Sequence, residues 1–490
     1  MTLTQVPQPS HSSEEDRPAA ATTSRQRWKI FAIVAIAPFI ALIDGGVCVL
    51  AIPNIQRDMH MTVSGAQWVT DIYLLLFGSL QMFAVRLADR FGRRSLFLAG
   101  LTVFTLASLA VGAADTGAVL ITMRALQAIG AAFTVPVAMA IVLSTFTDPA
   151  ERQKAIGIWA GLAGLGGVAG VILGGALIDL ADWRWAYYIN VPVGAAVLLM
   201  ALKTVPRDVP SRSGGSDVPG TVAVTLGLLV GVYGIVRAPE HGWTEGWTLA
   251  SFAAAAVLLV GFGVWQRKAQ FPALPPAVIG ERRLATATLS MLFVAAASNL
   301  AFFIVGLHFQ DAQGYTAWQA GLRLVPFGVG IIVFGGMTPV LVARIGARAV
   351  VVLGSSVSVA GFLWLALLTP SSGYFAVGFP GLCLLGAGVP LMWVVHDVMG
   401  TTGATEQTAG LASGIMQSAA SVGGGIGVAV GMSVASSVTR RKLAHGATPT
   451  AALSHGFAVS FGVGALLIAL GMVIPLVGYR RQRIYGRSMS

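Results

Sequence analysis

The chain has 490 residues, 55% of them hydrophobic and only 10% charged, with 31 Lys and Arg against 20 Asp and Glu for a formal charge of +11. A chain folded in water carries about a quarter charged residues, so this composition excludes an ordinary soluble enzyme. Two cysteines, Cys48 and Cys383, lie inside apolar runs and exclude a disulfide framework or a Cys-based zinc site, and the basic residues form no aromatic-interleaved face of the kind nucleic acid needs.

Residues 1–27 are polar, include Glu14, Glu15 and Asp16, and show no apolar core or small-residue cleavage site, which predicts a disordered cytoplasmic tail. A bilayer-crossing helix needs about 20 apolar residues at 1.5 Å each, and fourteen runs approach this. The first six are Trp28 to Ile55, Val69 to Leu87, Leu96 to Ala113, Ala118 to Phe146, Ala155 to Leu180, and Trp185 to Leu202. Two follow in the middle, Thr221 to Val236 and Thr248 to Trp265. The last six are Ala285 to Phe309, Gly321 to Val342, Ala349 to Leu368, Phe375 to Val395, Leu411 to Val438, and Phe457 to Tyr479.

An even number of crossings puts both termini on one side. With that side inside, 23 Lys and Arg fall on inner segments and 6 on outer ones (Arg57, Arg184, Arg237, Arg440, Arg441 and Lys442), while Arg124 and Arg323 lie within runs. This asymmetry follows the positive-inside rule and predicts a multi-pass protein of the inner or plasma membrane with both termini cytoplasmic.

The chain also repeats itself. Gly166, Gly170 and Gly174 of the fifth run recur 257 residues later as Gly423, Gly427 and Gly431, and the stretch Leu87 to Arg94 recurs 254 residues later as Leu341 to Arg348. Two unrelated patterns agreeing on nearly one offset predict two six-helix halves. The division expected is a tail at 1–27, a first half at 28–204, a linker with two additional transmembrane helices at 205–283, a second half at 284–480, and a cytoplasmic tail at 481–490. Parallel halves with a site at their interface are a transporter architecture.

Several motifs coincide with one family pattern. Leu87 to Arg94 resembles the cytoplasmic signature of the major facilitator superfamily, and Arg124 to Ala132 is similar to its fourth-helix signature. Gly170-Val171-Ile172-Leu173-Gly174-Gly175, followed by Trp183-Arg184-Trp185 and Asn190-Val191-Pro192, resembles the fourteen-helix drug/proton antiporter branch of multidrug and antibiotic efflux proteins. Asp44 with Ala51-Ile52-Pro53, and Gln67-Trp68-Val69 with Asp71 and Tyr73, are similar to the same branch. Val85 and Val171 depart from it, standing where the signatures have Gly and Pro. The resemblance implies an all-α integral membrane protein of the major facilitator fold, with fourteen helices that export small amphipathic or hydrophobic compounds in exchange for protons. It implies no enzyme activity and no cofactor beyond the proton gradient, and the partners expected are substrate, protons and lipid, with no nucleic acid and a monomeric state. A proton-independent or uptake carrier of the same fold is the nearer alternative, a membrane receptor or enzyme the remote one.

Charges in hydrocarbon are costly, about 2.5 to 3.5 kcal/mol each on insertion scales, so depth sorts the candidates. Counted from the outer end of each run, Asp71 lies about 3 Å deep, Arg124 about 9 Å and Asp44 about 16 Å. Asp44 is therefore the expected coupling acid with Arg124 as its partner, and Arg124 could lie between Asp44 and Asp71 if the first, second and fourth helices meet. The alternatives are a kink cap beside Gly45 and Gly46 for Asp44, a solvated interfacial position for Asp71, and a structural hydrogen-bond hub for Arg124. By the repeat offset Asp44 corresponds to about Asn299, which leaves titratable chemistry in the first half. Tyr73, Gln127, Asn299, Phe302 and Phe303 are the candidate substrate-cavity residues, although the phenylalanines could face lipid or pack.

Asp89, among Arg90, Arg93 and Arg94, is expected to form a conformational switch against the helix starting near Leu411, as the family implies; the alternative is a topology anchor. The stripe of Gly166, Gly170 and Gly174, with Gly175, suits close packing and sliding equally. His396 and Asp397 fall about 31 Å along their run, which suggests a solvated helix end rather than a relay.

Overall fold

The computed structural model describes residues 23–207, 217–272, 274, 280–401 and 406–478. Among these residues fourteen long helices form in chain order: α1 (Ser24–Asp58), α2 (Val63–Phe91), α3 (Arg93–Gly112), α4 (Gly117–Thr145), α5 (Pro149–Leu180), α6 (Trp185–Thr204), α7 (Val218–His241) and α8 (Gly246–Gln266). After these come α9 (Arg282–Ala312), α10 (Ala317–Ile345), α11 (Ala347–Leu365), α12 (Tyr374–Thr401), α13 (Glu406–Ala444) and α14 (Pro449–Gly478). Thirteen of them are long and apolar enough to cross a membrane, and α5 is apolar over the shorter stretch Leu165–Leu180. Among the described residues the fold is thus all-helical and multi-pass, and its helix count is roughly that of the fourteen crossings anticipated from hydropathy.

Side chains set the helix ends. Thr62, Thr116, Asp148, Asp217, Glu245 and Thr316 each accept a hydrogen bond from a backbone N–H in the first turn of α2, α4, α5, α7, α8 and α10, filling donors that no helical carbonyl can reach. Gly92 (φ 93°) and Gly346 (φ 85°) end α2 and α10 in a backbone conformation that disfavours a Cβ. These two glycines occupy the same place in the two copies of the 254-residue repeat.

The helices start alternately on two faces: the tail face, where α1 begins, and the far face. Within 24–204, α3 packs on α4, α4 on α2, and α5 on α1; within 282–478, α9 packs on α13 and α14, and α12 on α10 and α11. The glycine stripes mediate equivalent pairings. A methyl on Gly170 would sit 2.8 Å from the Ile43 carbonyl oxygen of α1, and one on Gly423 would press on the Leu292 backbone of α9.

The two groups of six meet along two seams, α2 with α13 and α5 with α10. The α2–α13 seam is lined by Gly78 against Ser421 and Val422, and α7 lies across it, with Val232 and Val236 in one cluster with Leu75 of α2 and Ala429 of α13. The α5–α10 seam is tight towards the far face. There Gly175 meets Ala317 and Trp318, Val171 meets Gly321, and Val168 meets Gly328. Towards the tail face it parts, and at Gly161 and Gly157 of α5 a methyl would meet nothing within 4 Å. An apolar cluster holding Val47, Leu50, Val171, Leu300, Phe303 and Leu324 closes the far side between the two groups.

Candidate functional site

Asp44 sits midway along α1, between the in-helix prolines Pro38 and Pro53, and is 1% exposed. Its carboxylate is held by three donors from two other helices. Arg124 Nη1 donates to Oδ2 at 2.6 Å, while Gln127 Nε2 and Asn190 Nδ2 donate to Oδ1 at 2.9 and 3.1 Å. Arg124 and Gln127 are three residues apart on α4, which puts both on one face. Gln127 accepts from Arg124 Nη1 at 2.6 Å and donates to Ser108 of α3 at 2.8 Å.

Arg124 is 1% exposed, and its remaining donors are also engaged. Nε donates to the Val69 carbonyl of α2 at 3.1 Å and Nη2 to Cys48 Sγ at 3.5 Å. The guanidinium lies 4.4 Å from the Tyr73 ring centroid and 5.4 Å from that of Tyr187, on α2 and α6. A buried ion pair is tolerable only when geometry and further hydrogen bonds offset desolvation, and here carboxylate, amide, carbonyl, thiol and two ring faces do so together. What the arrangement can do chemically is exchange one contact for a proton: a proton on Asp44 would remove the charge that fixes Arg124.

Asp71 is 0% exposed, so it is buried rather than solvated. The shallow depth counts from Val69, whereas α2 starts at Val63, six residues earlier. From Val63 to Asp71 the helix rises about 12 Å. Gln67 Nε2 donates to Asp71 Oδ2 at 2.9 Å, and Oδ1 has no partner. Asp71 lies about 200° around α2 from Val69, so Arg124 meets Asp44 and does not sit between the two carboxylates.

Tyr73 covers Arg124 and stacks on Phe77 with centroids 5.9 Å apart. Gln127 belongs to the Asp44 network. Asn299, at the repeat-related position, donates to the Ala295 carbonyl of its own helix at 3.0 Å and lies against Gly424. Phe302 is half-buried, tilted against Phe327 at 6.2 Å, whereas Phe303 is 1% exposed inside the far-side cluster. Gly166, Gly170 and Gly174 face Leu42, Ile43 and Val47 of α1, and Gly175 faces α10.

Asp89 lies in the last turn of α2, and its side chain is outside the described residues. Arg90 is exposed beside the Phe91 ring, Arg93 is half-buried, and Arg94 Nη2 donates to the Leu202 carbonyl at 2.6 Å. His396 is fully buried rather than solvated, because α12 continues to Thr401, and it pairs with Ser290 of α9. Reading the sequence missed Cys48, Ser108 and Tyr187, which complete the Arg124 and Gln127 shell. Their signal is faint, since each is a residue type that also packs without function.

The family model of the Major Facilitator Superfamily matches residues 34–428. A puromycin resistance protein of Streptomyces alboniger is 33% identical over 93% of this chain and 92% of its own length. A cephamycin export protein of Amycolatopsis lactamdurans is 32% identical over 97% of this chain and 96% of its own. Among solved structures, an auto-inhibited peptide transporter of the POT family superposes with a TM-score of 0.67 at 15% identity, over 95% of this chain and 99% of its own, which shows the shared fold. With a family model matching most of its length and relatives of this kind, the chain belongs to the Major Facilitator Superfamily.

Proposed function

We propose that the protein exports small amphipathic or hydrophobic compounds, antibiotics among them, in exchange for protons by alternating access, as a monomer in the cell membrane with its tail face cytoplasmic. The orientation follows the charge asymmetry of the loops, and the compound class follows the names of the relatives. The observation that carries the coupling is the buried Asp44–Arg124 pair at 2.6 Å.

A proton arriving at Asp44 neutralises the carboxylate and frees Arg124 Nη1, and its departure restores the pair. Proton occupancy and helix arrangement are then linked, because Asp44 on α1 accepts from donors on both α4 and α6 and loses part of that hold when protonated. Asp71, with one unpartnered oxygen, offers a second place for a proton on α2. Tyr73, Asn299 and Phe302 would contribute to the substrate path, and Asp89 with its arginines would bias the tail-face closure. The proton gradient supplies the drive, and no bound cofactor is needed.

The test is proton release against substrate in everted vesicles loaded with a pH-sensitive dye. Puromycin added to vesicles holding an imposed acid interior should raise the internal pH, and Asp44→Asn vesicles should show no such rise. A carrier without proton coupling would move puromycin and leave the dye unchanged.

A further inference from the structure

The first four backbone N–H groups of a helix have no partner in the helix itself. At the far-face start of α10 all four are nonetheless filled, and two of the acceptors come from another helix. Thr316 takes Gln319 N through its hydroxyl, and its own N–H donates to the Gln319 side-chain oxygen, both at 3.3 Å. The other two, Ala317 N and Trp318 N, donate to Asp179 Oδ1 and Oδ2, both at 3.1 Å.

Asp179 belongs to the last turn of α5, so this bidentate contact joins the first six helices to the last six. Gly175, one turn earlier on the same face, makes the approach feasible: a methyl there would sit 2.7 Å from the Ala317 carbonyl oxygen. The negative carboxylate also faces the positive end of a 29-residue helix. Two turns below Gly175, at Val168, the helices still touch, and by Gly161 they have parted. The contact therefore lies in the stretch where α5 and α10 are closed against each other.

We propose that Asp179 is a latch residue for transport, holding the far-face gate shut by capping α10. This rests on the alternating-access reading, since a contact present in one state and broken in the other biases the equilibrium between them by its own differential strength. Opening the far side would hand Ala317 N and Trp318 N to water and leave the Asp179 carboxylate solvated. The latch is a positioning device, and it touches neither Asp44 nor Arg124.

The test uses two introduced cysteines on α5, each read on its own peptide by mass spectrometry so that Cys48 and Cys383 do not interfere. Val171→Cys reports the closed far-side seam, and Gly161→Cys reports the open tail side. In an Asp179→Ala background, an impermeant maleimide added outside cells should label Val171→Cys about fivefold faster, and the same reagent on everted vesicles should label Gly161→Cys more slowly. Asp179→Asn, which keeps the size and one acceptor oxygen, should fall between. Opposite shifts are the signature of a displaced equilibrium. If both rates rise together, Asp179 is only a structural cap, and if neither changes, the latch does not exist. Both reporters read conformation and not transport, so with the gradient collapsed by an uncoupler a failure of proton coupling would leave this outcome unaffected.

Discussion

The central helices of the two six-helix groups, α1 and α9, share a packing scheme and differ in chemistry. Each receives a glycine stripe, Gly166, Gly170 and Gly174 on α1 and Gly423, Gly427 and Gly431 on α9. At the matched central position, α1 carries Asp44 with three side-chain donors, while α9 carries Asn299 bonded to its own backbone. The repeat thus preserves how helices approach each other and puts a charge at this matched position in one copy and an amide in the other. A moving pair of halves needs the first property in both, whereas a proton switch needs the second in one.

The largest break in this comparison should come from Arg124→Ala. It leaves Asp44 buried with only two amides, at a cost of about 3–5 kcal/mol. Thermal unfolding of the purified protein should begin well below that of the parent, and transport should vanish. Replacing both members, Asp44→Leu with Arg124→Leu, should recover much of the stability and none of the proton-driven transport.

Next in size are Gly170→Leu and Gly427→Leu, which force a side chain against the backbone of α1 and α9 respectively. Each should destabilise by about 1–3 kcal/mol, the usual range for overpacking, measurable as a lowered unfolding midpoint. Comparable losses would confirm that the stripes serve both groups alike. A large loss at one site and none at the other would show that the packing equivalence is superficial.

Much of this was legible in the sequence, for identifiable reasons. Asp44 and Arg124 could be paired before any coordinates because charges that deep in hydrocarbon need partners. The stripes were legible because small residues at every fourth position mark close helix contact. The start of α2 was placed late because Ser64, Gly65 and Gln67 do not look like membrane helix, although Thr62 caps it there. His396 was misplaced for the same kind of reason, since α12 runs six residues beyond its apolar stretch to Thr401. The bridging position of α7 across the α2–α13 seam and the reach of Asp179 to α10 depend on tertiary placement, which no local pattern encodes.

Asn299→Ala should have a small effect, since it removes one hydrogen bond to a carbonyl already in the helix ladder. Stability should change by less than about 1 kcal/mol and transport should stay within about threefold of the parent, in contrast with its counterpart Asp44. Loss of transport on the scale of an Asp44 variant would move part of the coupling chemistry into the second group.

Smallest of all should be Glu151→Gln at the tail face. The Ser24 hydroxyl and Arg27, 2.7 Å away, hold the Glu151 carboxyl below its usual range. That contribution is present above the ordinary Glu pKa of about 4.3 and fades as pH falls through the lower folded value. Parent and variant should therefore differ slightly in unfolding temperature at pH 6, converge towards pH 3, and transport alike at neutral pH.

The most direct test of the account is transport by Asp44→Asn in proteoliposomes under an imposed proton gradient alone. Downhill exchange of labelled substrate should persist, because the amide keeps the size of the carboxylate and the helices still pack, while accumulation against a substrate gradient should be absent. Accumulation equal to that of the parent would contradict the central claim that proton coupling resides in the Asp44–Arg124 pair.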